Sequence, residues 1–176
     1  MNRQKVTLLL INVIGGIAVI GSYIYGLNAQ SAGAAVLWGG VPTNIQPIYA
    51  VSMILSAIAY FTFIYYLLVR LNPAEVSIAR KFNYSLFYWI FIAMLLPSAF
   101  WMPLTNLYVV SPVLIYWILI RAVLFIVGFA SLALVWALIK TVPYTEGIAR
   151  RAAIAGSIYF TFHTLILDAI IWALLF

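Results

Sequence analysis

The sequence predicts an all-α integral membrane protein, a bundle of five transmembrane helices. Its 176 residues are 67% hydrophobic and only 7% charged, whereas soluble domains carry about 25% charged residues. A chain this apolar has too little polar side chain to cover a surface that faces water, so lipid is its natural solvent. The apolar runs are continuous, which excludes the alternating strands of a membrane β-barrel.

Five apolar runs reach the roughly 20 residues that cross a bilayer at about 1.5 Å per residue. The first is longer than the apolar part of a cleavable signal peptide, so we expect a retained helix. No hydrophilic insert or low-complexity tract separates the runs, and residues 1–176 are predicted to form a single transmembrane domain. The predicted helices span about 6–27, 47–69, 83–104, 113–139 and 152–175.

The basic residues predict the orientation. Eight of the nine lie before the first helix or in the second and fourth connections, and the first and third connections contain none. The positive-inside rule makes the basic side cytoplasmic. Five helices then place the N-terminus in the cytoplasm and the C-terminus on the opposite side of a plasma, inner or organelle membrane. The cations are too few and too dispersed to bind nucleic acid.

Two charges fall inside predicted helices, Arg121 in the fourth and Asp168 in the fifth. Each lies about eight residues from the outer end of its helix, so the two are predicted at similar depth. A charge in hydrocarbon is costly unless it is paired or hydrated. We therefore expect Arg121 and Asp168 either to form an ion pair or to line one polar cavity in the outer half of the membrane. An ion pair of this kind can also serve only to fix helix register.

Polar residues recur at intervals of three or four on two helices, which places each set on one helix face. Such stripes either bind neighbouring helices together in lipid or line a shared cavity. The stripes are Tyr49, Ser52, Ser56 and Tyr60 on the second helix, and Ser157, Thr161, Thr164, Asp168 and Trp172 on the fifth.

The sequence offers no catalytic or metal-binding constellation. It has one histidine, three acidic residues and no cysteine, too few ligands for a metal cage. His163 lies about 140° from Asp168 on an α-helix, which disfavours a proton relay between them. We expect His163 to be a hydrogen-bonded packing residue; axial haem ligation is the alternative. Glu75 and Glu146 are predicted on the cytoplasmic side, far from Asp168, and we favour a function other than catalysis.

Two further features are predicted in the outer half. Pro97 should kink the third helix beside Ser98, and Pro103 is expected to mark the end of that helix. The uncharged first connection, residues 28–46, has a length that is typical of lids. The alternative is an interfacial loop that places Trp38 at the headgroups.

Three short segments carry a family resemblance. Residues 98–104, Ser-Ala-Phe-Trp-Met-Pro-Leu, look like an Asn-x-x-Trp-Ser-Pro-Leu motif, and residues 167–172 look like Leu-Asn-x-x-Val-Trp. Residues 47–49 are more loosely similar to the Gly-Pro-Val-Trp that opens a second helix. These motifs belong to the TspO/translocator family, the tryptophan-rich sensory proteins. The chain resembles that family in its five helices and in the long loop after the first.

The chain also departs from the family pattern. Ser98 and Asp168 replace asparagines, Gly156 falls where a proline is expected, and the Trp-x-Pro-Pro stretch of the first loop is absent. The resemblance implies that porphyrin- or sterol-like amphiphiles bind under the first loop, near Trp101, Asp168 and Trp172. Haem or porphyrin is then the candidate cofactor, and the added charge of Asp168 leaves the identity of the ligand open.

We therefore predict a multi-pass membrane protein that binds a small porphyrin-, sterol- or lipid-like amphiphile in the outer half of the bundle. The alternative is an accessory or structural subunit of a larger membrane complex, whose partners are a second copy of the chain or other membrane subunits. The residues predicted to bind the ligand are Trp38, Tyr49, Ser98, Trp101, Arg121, Thr164, Asp168 and Trp172.

Overall fold

The computed structural model describes residues 2–29, 33–144 and 147–176, and it confirms the all-α, five-helix prediction. Five helices are long and apolar enough to cross a membrane. They are α1 (Arg3–Asn28), α2 (Gln46–Arg70), α3 (Leu86–Val110), α4 (Leu114–Lys140) and α5 (Ile148–Leu175). The last turn of α2, Tyr66–Arg70, and most of the second half of α5, Phe162–Trp172, are π-helical.

The predicted end of α3 at Pro103 is wrong, because the helix continues to Val110 and holds both prolines in its interior. In lipid, every backbone polar group needs a partner within the protein, and breaking the helix there would leave several unpaired. Side chains beyond Pro103 also bond back to the helix. Thr105 Oγ1 donates to the Trp101 carbonyl at 2.9 Å, and Asn106 Nδ2 donates to the Met102 carbonyl at 2.9 Å.

The bundle has α3 packed against α1 and α4, and α5 packed against α2 and α4. Helix α1 is peripheral, and its buried residues are Leu8 and Gly26. The buried apolar side chains form two cores, one toward each end of the bundle. One is built around Phe63, Phe87, Phe91 and Leu134, and the other around Tyr49, Ile120, Leu124 and Trp172.

A two-stranded antiparallel sheet joins the connections at one end of the bundle. Strand β1 (Ser77–Ile78), between α2 and α3, pairs with β2 (Thr141–Val142), between α4 and α5. Because both basic connections meet here, we call this the basic end; Glu146, predicted on this side, lies outside the described residues. The opposite end, which carries the first loop and the C-terminus, is the loop end.

Helices α2 and α5 approach closely at Gly156. A Cβ added there would lie 2.2 Å from Thr62 Oγ1 and 2.9 Å from the Ala59 carbonyl oxygen. Thr62 Oγ1 also donates to the Ala152 carbonyl at 3.1 Å, which ties the two helices together at the same level. A glycine is therefore required at position 156, because any residue with a Cβ would displace α2.

Candidate functional site

The π-helical part of α5 brings His163 and Asp168 together. In a π-helix each N–H bonds to the carbonyl five residues earlier, so residues five apart lie above one another. His163 Nε2 is 3.6 Å from Asp168 Oδ2. The prediction that the two residues face different directions is therefore wrong, because it assumed the α-helical period throughout.

Hydrogen bonds extend this pair across to α2. Ser52 Oγ lies 2.9 Å from His163 Nδ1, and the Tyr159 hydroxyl donates to Ser52 Oγ at 3.1 Å. A proton on Nε2, beside the carboxylate, leaves Nδ1 free to accept from Ser52. We call Tyr159, Ser52, His163 and Asp168 the polar chain; with the proton on Nε2, its donors point toward Asp168.

A groove of about 370 Å³ opens between α2 and α5 in the loop-end half of the bundle. Ser52 and Tyr159, the first two members of the polar chain, supply its hydroxyl groups. Ile48 and Val51 in its wall are 60% and 57% exposed, so the groove opens on the outer face of the bundle. The other residues that line it are Pro47, Phe162 and Leu167.

An aromatic cluster lies in the apolar core at the loop end. The Trp101 ring is 5.4 Å from Tyr23 and 5.3 Å from Trp172, and Trp172 stacks on Phe176 at 4.3 Å. The cluster thus joins rings from α1, α3 and α5.

The first loop packs against the end of α5. Residues Ala34–Trp38 form a 3₁₀ helix, and the Leu37 carbonyl accepts a hydrogen bond from Trp172 Nε1 at 3.2 Å. The Gly40 amide donates to the Leu175 carbonyl at 2.8 Å, and the Trp38 ring meets Tyr49 edge-on at 5.9 Å. Residues 30–32 of the predicted lid lie outside the described residues.

Of the two alternatives predicted for Arg121 and Asp168, the ion pair is wrong, because Arg121 has no ion-pair contact among the described residues. Its guanidinium lies 3.3 Å above the Trp117 ring and donates to the carbonyl oxygens of Trp117 and Ala173. Ala173 belongs to the last turn of α5, where carbonyls lack helical partners and the helix dipole is negative. The guanidinium of Arg121 therefore binds carbonyl groups at the C-terminal end of α5 and does not bind the carboxyl group of Asp168.

Two other predicted ligand residues bond elsewhere. Ser98 Oγ donates to the Met94 carbonyl at 2.7 Å within α3, and Thr164 Oγ1 lies 3.0 Å from Ser131 Oγ of α4. The structure does bring Trp38 to Tyr49 and Trp101 to Trp172. Tyr49 also donates its hydroxyl hydrogen to the Leu167 carbonyl at 2.9 Å.

Three members of the polar chain lie outside the predicted ligand set. The stripe on α2 did contain Ser52, and its spacing was the signal that pointed inward. No sequence pattern indicated Tyr159 or His163. These two residues of α5 meet Ser52 of α2 only because the two helices pack together. Within the predicted α5 stripe, Thr164 bonds toward α4, whereas Asp168 lies beside His163, which faces α2.

The surroundings of His163 do not fit axial haem ligation. Its side chain is buried, with Nδ1 beside Ser52 and Nε2 beside Asp168, so both ring nitrogens have polar neighbours. The parts of the chain that the structure describes hold no group of three His, Cys, Asp or Glu residues that could bind a metal ion. The polar chain can form hydrogen bonds to a ligand in the groove. The 3.6 Å between His163 Nε2 and Asp168 Oδ2 exceeds hydrogen-bond reach, so the hydrogen-bonded part of the chain ends at His163 and does not form an oriented catalytic triad.

Comparison of the chain with protein-family models, with curated proteins and with solved structures gives no match.

We expect His163 and Asp168 to be energetically coupled, and more strongly than Arg121 and Asp168. In double-mutant cycles of alanine variants, contacting residues typically show coupling of about 0.5–3 kcal/mol, and residues without contact stay within about 0.5 kcal/mol of additivity. The free energy of unfolding in detergent measures both cycles. A larger coupling for the cycle with Arg121 would contradict the observed partners.

Proposed function

We propose that this chain is an integral membrane protein that binds a small neutral amphiphile in the groove between α2 and α5. Its basic end faces the cytoplasm, and the groove lies in the outer half of the membrane. The positive-inside rule supports this orientation, since the paired strands β1 and β2 hold the two basic connections at one end.

The observation that carries the proposal is the lining of the groove. The lining is almost entirely apolar and opens toward the lipid, and Ser52 and Tyr159 are the residues in it that carry hydroxyl groups. Ligand sites are typically apolar cavities of about 300–1,000 Å³ with a few placed polar groups. A ligand with one hydroxyl on a large apolar body matches this arrangement.

This chemistry favours a sterol-like ligand over a porphyrin. A porphyrin carries carboxylates, which bind best to arginine or lysine, and the residues that line the groove include neither. The TspO resemblance supports an amphiphile but implies a site under the first loop. In our proposal Trp101 and Trp172 pack in the apolar core at the loop end, and the ligand enters sideways from the bilayer.

The test is binding of dehydroergosterol, a fluorescent sterol, to the purified protein in nanodiscs, followed by energy transfer from the aromatic residues. We expect saturable binding that Ser52→Ala weakens about threefold to tenfold, the effect of losing one hydrogen bond. Ser56→Ala is the matched control. It lies one turn further along α2, is equally buried, and has no hydrogen-bond partner in the described structure.

Three results would contradict the proposal or part of it. Absence of saturable binding removes the amphiphile site, and a defined complex with other membrane subunits would then favour the accessory role. Equal losses in Ser52→Ala and Ser56→Ala would place the ligand elsewhere. Tighter binding of protoporphyrin IX than of the sterol would keep a site but overturn the ligand class.

A further inference from the structure

A second groove lies between α2 and α5 at the basic end of the bundle, away from the polar chain. It has a volume of about 650 Å³. Arg70, the last residue of α2, and Arg150, in the first turn of α5, both line it. Ile58 and Phe61 continue its wall along α2, and they are 57% and 69% exposed. The groove therefore combines cations at its mouth with an apolar track that runs up the outside of the bundle.

The arginines of this groove are not neutralised by the described part of the chain. Across residues 2–29, 33–144 and 147–176, the one ion-pair contact joins His163 and Asp168. The Arg150 guanidinium lies 4.2 Å from the centre of the Tyr144 ring, and its Nη2 reaches only the Ile139 carbonyl, at 3.4 Å. Its Nε is buried and has no hydrogen-bond partner there. The ring holds this guanidinium at the groove while leaving part of its donor capacity unused.

The start of α5 adds to the positive potential. The N-cap residue Gly147 has no side chain to accept from the first N–H groups, and no acidic residue lies in the first turn. The N-terminus of a helix carries the positive end of its dipole, so cations there destabilise the helix unless an anion is nearby. Gly147 and Ile148 line the same groove as the two arginines, and the first N–H groups of α5 have no acceptor among the described residues.

We infer that this groove binds the phosphate of an anionic phospholipid from the leaflet at the basic end. The phosphate accepts from Arg70, Arg150 and the first N–H groups of α5, as phosphates do at helix N-termini and in basic clefts between membrane helices. One acyl chain lies along Ile58 and Phe61. The apolar track favours a lipid over a soluble phosphate, which would leave that track unoccupied. The site does not depend on the sterol groove.

The test is native mass spectrometry of the whole protein titrated with phosphatidylglycerol and, separately, with phosphatidylcholine. We expect phosphatidylglycerol to bind at least fivefold more tightly. Arg70→Gln and Arg150→Gln should each weaken its binding about fivefold, the usual effect of one cation near an anionic lipid. Arg150→Lys keeps the charge and should lose less. Arg80→Gln is the matched control, because Arg80 lies at the same end and outside the groove, and it should change binding less than twofold.

Several outcomes would overturn the inference. Equal affinity for the two lipids removes the anion site, and an equal loss in Arg80→Gln reduces it to general attraction by a basic surface. Displacement of phosphatidylglycerol by millimolar inorganic phosphate would assign the site to a soluble anion. Dehydroergosterol binding should be unchanged in Arg70→Gln and in Arg150→Lys, which separates failure of this site from failure of the groove at the loop end. If a Gln variant does not fold, two comparisons still test the inference: Arg150→Lys against the unmodified protein, and phosphatidylglycerol against phosphatidylcholine.

Discussion

Trp172→Ala is expected to lower the free energy of unfolding by about 3–5 kcal/mol, the usual cost of truncating a tryptophan in a packed core. The Trp172 side chain is 3% exposed, stacks on Phe176 and meets Trp101 edge-on. Its indole N–H is also the hydrogen-bond donor that holds the Leu37 carbonyl of the first loop. The substitution therefore removes both core packing and the attachment of the loop.

Thermal and denaturant unfolding in detergent measure this loss, with Trp89→Ala as the control. Trp89 lies on α3 and is 68% exposed, so its removal should change stability by less than about 0.5 kcal/mol. Trp172→Phe keeps an aromatic ring but loses the hydrogen bond, and the lost bond should lower the free energy of unfolding by about 1 kcal/mol. It should also make residues 34–45 of the first loop more accessible to protease. Equal losses of stability for Trp172→Ala and Trp89→Ala would show that Trp172 is not packed in the apolar core at the loop end.

Gly156→Ala is expected to destabilise the protein by about 1–3 kcal/mol, the range for an extra methyl group in a packed contact. Helix propensity alone would predict the opposite sign, since alanine is favoured over glycine by about 1 kcal/mol in a helix interior. The contact prevails because the added Cβ meets the Ala59 carbonyl oxygen at 2.9 Å, a backbone atom that moves only with α2.

The control for this prediction is Gly16→Ala. Gly16 lies on α1 with nothing within 4 Å of an added Cβ, so alanine there should be neutral or stabilising. Both variants are compared by their unfolding midpoints in the same detergent. If Gly156→Ala stabilises the protein as Gly16→Ala does, then α2 and α5 do not approach at this level. A displaced α2 should also weaken dehydroergosterol binding, because the sterol groove lies between the same two helices.

The helices could be predicted from sequence because a local property determines them. A run of about 20 successive apolar residues is long enough to cross lipid, whichever helices it packs against. The sequence also shows that the cations between helices fall in two of the four connections. In the structure these two connections are paired, with Ser77 opposite Val142. The sequence predicts the end of α3 too early, because proline ends helices in water but is tolerated inside membrane helices, where other groups of the protein satisfy the freed carbonyl.

The site was predicted less well because it depends on contacts that the local sequence does not encode. Depth along the helix predicts Arg121 opposite Asp168, but depth leaves the direction of the side chain open, and the carbonyl groups at the end of α5 are the nearer acceptors. The α-helical period predicts that His163 and Asp168 face different directions, and residues 162–172 show no composition that distinguishes a π-helix from an α-helix. The spacing of Ser52 predicts that it faces other helices, but its partner on α5 depends on how the two helices pack.

The π-helical stretch makes the polar chain depend on the number of residues as well as on their identity. His163 and Asp168 meet because four residues separate them in an i→i+5 ladder. A lineage that gained a single apolar residue in this interval would keep the hydropathy and charge by which the segment is recognised as membrane-spanning. It would nonetheless carry the Asp168 carboxyl group on a different face of the helix from His163. Among descendants of this chain, insertions in α5 are therefore more informative about function than conservative apolar substitutions.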